Sequence, residues 1–184
     1  MAKILVPLAS GFEEIEAVSI VDVVRRSNIE VVIAAMDNNL LVKGANGISV
    51  EANVNIQSLD IKEFDMIVLP GGWDGTDILA QNKTVQEMLK YMKKNKQIAA
   101  ICAAPYALHK AGVLNHNYTC YPGAQDKIRL DGYHKDDSIV IDSNVITSRG
   151  PGTALCLGLE IVKQLDSIET YNALKDGLLA NFCI

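Results

Sequence analysis

Several places in this sequence combine a reactive side chain with the backbone freedom that a site needs. Cys102 follows the apolar run Gln97-Ile98-Ala99-Ala100-Ile101 and precedes the small residues Ala103-Ala104. A thiol between a buried strand and a helix holds the place of a nucleophile elbow, where a tight turn presents the side chain above a sheet. The positive end of the following helix and nearby N–H donors would favour its thiolate. The competing reading is a small buried hydrophobe, as free cysteines often are. Gly71-Gly72 follows another apolar run, Asp65-Met66-Ile67-Val68-Leu69. Backbone N–H groups there, together with that of Ala103, would form an oxyanion site. Without the cysteine, an ordinary β-to-α turn would explain the glycines.

Acids and an arginine complete the set. Glu13, Glu14 and Glu16 open a helical stretch, where negative charge suits the helix dipole. That accounts for Glu13 and Glu14. Glu16 differs, because it lies among Ile15, Ala17 and Val18, close to an apolar stripe. A carboxyl held there beside a thiolate has a raised pKa, and the two groups share one proton and titrate as a unit. Arg149, before Gly150-Pro151-Gly152, would bind an anion or contact a partner subunit, or else lie free on the surface. The histidines argue by absence. Cys102 is followed by Ala103, and His109 lies two helical turns on, roughly 10 Å away. His116 and His134 fall in polar loops. A Cys-His hydrolase needs an imidazole against the sulfur. Gly71-Gly72-Trp73-Asp74-Gly75 has neither dinucleotide-fingerprint nor phosphate-loop spacing, so no nucleotide cofactor is expected.

These residues follow strands. Lys3–Leu8, Glu30–Ala35, Asp65–Leu69 and Gln97–Ile101 read as buried strands. Helices are predicted at Glu13–Arg26, Lys83–Lys94, Ala103–Lys110, Gly152–Gln164 and Ser167–Leu178. Short strands are predicted at Ser138–Asp142 and Val145–Ser148, and residues 40–55 read as a hairpin insertion. Apolar strands alternating with helices mean a parallel sheet covered on both faces. The expected fold is a doubly wound, flavodoxin-like α/β domain spanning 1–184, with its site at the carboxyl ends of the strands.

Composition narrows the function. The chain has 184 residues, 49% apolar and 21% charged, with a net charge of −5. That length buries about 70% of the unfolded surface without a staple. The acidic balance disfavours nucleic acid and acidic membranes as partners. The longest apolar run, Ile98 to Leu108, has 11 residues and contains Pro105, whereas a spanning helix needs about 20. The expectation is a cytoplasmic protein. Its four cysteines, Cys102, Cys120, Cys156 and Cys183, are at least 18 positions apart, so no zinc spacing exists and all four are expected as thiols.

Taken together, the motifs resemble the ThiJ/PfpI superfamily, and within it the oxidative-stress branch with its bacterial YajL-like deglycase relatives. The matching pieces are Gly11-Phe12-Glu13-Glu14-Ile15-Glu16-Ala17, Val21-Asp22-Val23-Val24-Arg25-Arg26, Leu69-Pro70-Gly71-Gly72, Ala99-Ala100-Ile101-Cys102-Ala103-Ala104-Pro105 and Thr147-Ser148-Arg149-Gly150-Pro151-Gly152-Thr153-Ala154. The resemblance implies a homodimer, a reactive Cys102, a protonated Glu16 bonded to it, and an oxyanion site lined by the N–H groups of Gly72 and Ala103. It places Arg149 near the site and the dimer contact. The chain departs from its relatives in two places. Tyr121 precedes Pro122 where close relatives often carry histidine, and Asn46 stands where some carry an arginine of an anion pocket.

The resemblance implies three functions. The first is cofactor-free conversion of a small aldehyde such as methylglyoxal, or of an early glycation adduct, to lactate through a Cys102 hemithioacetal. The second is a redox-sensing holdase, in which Cys102 is oxidised to sulfinate and the protein binds unfolded client proteins. A small cysteine hydrolase comes third, since no histidine partners the sulfur.

Overall fold

The computed structural model describes residues 1–183. Nine strands and six helices alternate along them. The strands are β1 (Lys3–Leu8), β2 (Glu30–Ala35), β3 (Leu41–Lys43), β4 (Ser49–Glu51), β5 (Val54–Asn55), β6 (Met66–Leu69), β7 (Gln97–Ile101), β8 (Ile139–Asp142) and β9 (Val145–Ser148). The helices are α1 (Glu14–Arg25), α2 (Trp73–Gln81), α3 (Lys83–Asn95), α4 (Pro105–Ala111), α5 (Ala154–Leu165) and α6 (Ile168–Gly177).

Seven strands form one sheet in the order β5-β2-β1-β6-β7-β9-β8. All neighbours are parallel except β8, which runs antiparallel to β9. Alternate residues of the central strands feed two cores. Ile4, Val6, Met66, Val68, Ala99 and Ile101 pack with Ala17, Ile20 and Val24 of α1 and Leu157 and Ile161 of α5. Leu5, Ile67, Leu69, Ile98 and Ala100 pack with Leu79 of α2, Leu89 and Met92 of α3 and Leu108 of α4. Each large aliphatic side chain so buried favours folding by about 1.5–3 kcal/mol, which is why these strands read as continuous apolar runs. This is the expected doubly wound, mostly parallel architecture. Among the described residues, no helix is long and apolar enough to cross a membrane.

Several sequence expectations need correction. β3 and β4 form the expected hairpin, but Val54–Asn55 leaves it and adds to the main sheet beside β2. α2 was not anticipated, because Gly75 and two aspartates in its first turns mask its period. The helix after Cys102 starts only at Pro105, so Cys102 to Ala104 form the turn itself. Cys156 and Cys183 are not thiols but a disulfide. Their Cα atoms lie 5.1 Å apart, because the segment after α6 folds back and packs Ala180 against Val23 and Leu159.

Chain order reverses between β1 and β6. From β1 the chain moves outward to β2, then returns to build β6, β7 and β9 on the other side. Such a reversal opens a crevice at the carboxyl ends of the strands. Glu13 to Glu16 follow β1, Gly71-Gly72 follow β6, and Cys102 follows β7 at this crevice.

Candidate active site

Cys102 has φ of +63°, one of three non-glycine residues in the left-handed region among those described. A non-glycine residue is rare there and needs surrounding structure to hold it. The turn is pinned on two sides. The Cys102 N–H donates to the Ser148 carbonyl at 2.9 Å, prolonging the β7–β9 ladder, and the Tyr121 N–H donates to the Cys102 carbonyl at 2.9 Å. The side chain therefore stands at a true elbow. It forms part of the wall of a cavity of about 330 Å³, shared with Glu13, Ala45, Asn46, Gly72, Trp73, Ala103, Tyr121 and Pro151. That volume lies at the small end of ligand pockets, which span about 300–1,000 Å³.

Glu16 is wholly buried on the first turns of α1. Its Oε2 accepts the Gly71 N–H at 2.7 Å, while Oε1 is buried with no hydrogen-bond partner. Across the bare Cα of Gly71, this carboxyl lies beside the Cys102 thiol, close enough for the two groups to shift each other's titration. An unpaired neutral oxygen is far cheaper to bury than part of an unpaired charge, so the environment favours the acid form. Burial accordingly pushes the Glu16 carboxyl up to about 7, with the charge of Glu13 adding to it and the bonds to Cys102 and Gly71 opposing it.

The sequence reading expected the surroundings to favour a Cys102 thiolate. The structure corrects the balance of forces. Burial, the largest influence, pushes the thiol up, and the neighbouring Glu16 charge and hydrogen bond push it further. The nearby N–H groups of Gly72 and Ala103 pull the other way. Repulsion acts only when both groups are ionised, so the pair resists carrying two charges and titrates as a unit.

The geometry brings Cys102, Glu16, Gly72, Ala103 and Tyr121 together. Gly72 has φ of +87°, and a Cβ there would stand 2.2 Å from the Gly11 carbonyl oxygen, so only glycine fits. Arg149 does not join the set. It borders a neighbouring cavity with Tyr121, Pro122 and Pro151, and makes no ion pair among the described residues. Its backbone follows β9, and it is not among the residues that line the Cys102 cavity. Cys120 is fully buried beside Tyr118 and Ala124, and burial pushes its thiol up to about 12.

Sequence reasoning missed two acids. Glu13 caps α1 by accepting the Ile15 N–H at 3.2 Å, and it also lines the cavity. Glu14 turns inward and is buried. Its Oε1 accepts the N–H groups of Asn46 at 2.7 Å and Ile48 at 3.3 Å, and its Oε2 accepts the Asn46 side-chain amide at 3.0 Å. Burial pushes the Glu14 carboxyl up, but those bonds outweigh it and hold it below its ordinary value, and they tie the β3–β4 turn to α1. The helix-dipole explanation was therefore incomplete. The only sequence signal was a pair of glycines in the hairpin, of which Gly44 leaves room for the carboxyl.

Comparison with known proteins agrees with this architecture. Residues 2–164 match the DJ-1/PfpI family. Protein DJ-1 homolog A of Arabidopsis thaliana is 42% identical over 88% of this chain, which spans 42% of that longer protein. A glutathione-independent glyoxalase of Caenorhabditis elegans, DJR-1.2, is 38% identical over 94% of this chain and 92% of its own length. The crystal structure of Drosophila melanogaster DJ-1beta superposes with a TM-score of 0.93 at 35% identity, covering 97% of each chain. With its fold, its motifs and nearly its whole length in agreement with these relatives, this chain belongs to the DJ-1/PfpI family.

Proposed function

We propose that this protein protects against reactive dicarbonyls, converting methylglyoxal or early glycation adducts to lactate without a cofactor. The observation that carries the reading is a buried carboxyl that keeps its proton to near-neutral pH against a cavity-lining thiol. Family relatives named as glutathione-independent glyoxalases support a small-molecule substrate.

Attack uses the form of the pair in which the thiol proton has passed to Glu16 and the negative charge sits on sulfur. The backbone N–H groups of Gly72 and Ala103 favour charge on the sulfur, which borders the cavity, and the Glu16 carboxyl lies directly behind it across Gly71. The thiolate adds to the aldehyde carbon, and the oxygen takes the Glu16 proton to give a hemithioacetal. The N–H groups of Gly72 and Ala103 stabilise the oxyanion as it forms. The Glu16 carboxylate then removes the proton from the former aldehyde carbon. The electron pair passes through an enediol, and the proton returns at the neighbouring carbon. The first carbon is thereby oxidised to a thioester and the second reduced to an alcohol. Water cleaves the thioester, releasing lactate and the thiol.

The test is lactate formation from methylglyoxal without glutathione. Turnover above about 1 s⁻¹, lost in both Cys102→Ser and Glu16→Gln, is the expected result. Turnover that survives either change rejects the mechanism.

A second reading rests on the same sulfur. Peroxide would oxidise the Cys102 thiolate to sulfinate, whose oxygens find the Glu16 proton and the two N–H groups, and the oxidised dimer would hold unfolding clients. Peptide mapping after peroxide treatment tests this. Oxidation confined to residue 102 supports it, and equal oxidation of Cys120 rejects it. A hydrolase ranks third, since no histidine lines the cavity among the described residues.

A further inference from the structure

We propose that Glu13 makes this cavity selective for uncharged electrophiles over anionic ones, so that neutral aldehydes enter and carboxylate-bearing aldehydes are turned away. The inference concerns which substrates reach Cys102, and for its aldehyde arm it rests on the dicarbonyl reading. Among the described residues that line the cavity, Glu13 is the only carboxylate, and none is a lysine, arginine or histidine; Cys102 forms the wall in front of Glu16. Both of its oxygens are held in place. Oε1 accepts the Ile15 N–H, and Oε2 accepts the Asn46 amide at 3.3 Å. The same amide bonds Glu14 on its other side. An asparagine satisfies both carboxylates without cancelling their charge, which an arginine at this position would do.

Among the described residues, no cation lines the cavity to offset Glu13. Lys127 lies over the Trp73 ring at 4.3 Å but is not part of the cavity wall. Arg149 belongs to the neighbouring cavity. An anion approaching Cys102 thus meets a fixed negative charge at the rim and a singly charged pair beyond it. Like charges juxtaposed on binding are disfavoured, and the penalty acts on affinity and encounter alike.

Alkylation of Cys102 tests this without relying on turnover. Iodoacetamide and iodoacetate differ by one charge and little in size. With either, the sulfur–carbon bond forms, the carbon–iodine bond breaks, iodide leaves with its electron pair, and the thiol proton passes to solvent. The readout is the ratio of the two rates at residue 102, located by peptide mapping. Glu13→Asn keeps a helix cap and removes the charge, whereas Glu13→Asp keeps both. The wild-type protein is expected to prefer iodoacetamide more strongly than the denatured chain does. Glu13→Asn should lower that preference about three- to tenfold, and Glu13→Asp should retain most of it. An unchanged ratio in Glu13→Asn overturns the proposal, as does an equal loss of preference in both variants.

A parallel comparison of kcat/KM for methylglyoxal and for glyoxylate separates the two claims. If the alkylation ratio responds while no aldehyde is turned over, the selectivity stands and the dicarbonyl reading falls. If methylglyoxal is turned over but neither ratio responds to Glu13→Asn, the selectivity falls alone.

Discussion

Glu16 and Cys102 meet over the bare Cα of Gly71. A Cβ built there would lie 2.6 Å from Glu16 Oε2 and 3.1 Å from Cys102 Sγ. The missing side chain is therefore the space that the carboxyl–thiol pair occupies. Gly71→Ala should force the pair apart. The expected result is a loss of stability of about 1–3 kcal/mol in denaturant unfolding, with a faster loss of aldehyde turnover than of fold. Unchanged turnover in a folded Gly71→Ala protein would show that the contact does not matter.

Acid–base linkage gives a second prediction. Glu16 is held at about 7 against an ordinary 4.5, so the folded chain keeps a proton that the unfolded chain gives up. The associated stabilisation is fully present below about 4.5 and is lost as pH rises through about 7. Its size is on the order of 3 kcal/mol. Glu16→Gln cannot ionise, so its stability should stay flat across that window while the wild-type value falls. Urea titrations on either side of the window check this, and parallel slopes for the two proteins would refute it.

Glu14 predicts a local effect. Its removal strands the N–H groups of Asn46 and Ile48, which otherwise end on one carboxylate. Glu14→Ala should cost about 1–3 kcal/mol for each group left unpaired by protein or water. Hydrogen exchange should accelerate first between residues 41 and 51. Uniform acceleration over the whole chain would mean that the carboxylate supports more than the hairpin.

The Cys156–Cys183 bridge predicts a dependence on reductant. It closes a loop of 27 residues, for which constraint of the unfolded chain is worth about 3.5 kcal/mol. Cys183→Ser should lower Tm, and reductant should lower the wild-type Tm to a similar value without affecting the variant. Because Cys102 lies outside the bridge, its alkylation rate should change little on reduction. A large change would mean that the tail and the active-site elbow are coupled.

The parts of this fold that were legible are those whose cause is local. β1, β2, β6 and β7 are unbroken aliphatic runs because both faces of the sheet are covered. The elbow was legible because a thiol between such a run and small residues has few other places to go. What escaped the sequence depends on distant packing. Glu14 is buried against Asn46 and Ile48, more than thirty positions downstream. Cys156 finds Cys183 only after α6 has turned the chain back. Arg149 follows a strand like the other site residues, yet it lines the neighbouring cavity. Glu13 looked like one more acid at a helix start, and only the hairpin's approach makes it a wall of the cavity.

The elbow at Cys102 also bears on how such a protein would change under selection for heat resistance. A left-handed residue with a side chain carries a strain of about 1–2 kcal/mol that glycine would not. Glycine at 102 would relieve the turn and free Glu16 from its partner, so a screen that rewards only thermal endurance should enrich for it. Each such winner would keep the fold and lose the sulfur. In this protein the thiol of the candidate site stands at one of the positions that stability alone would replace first.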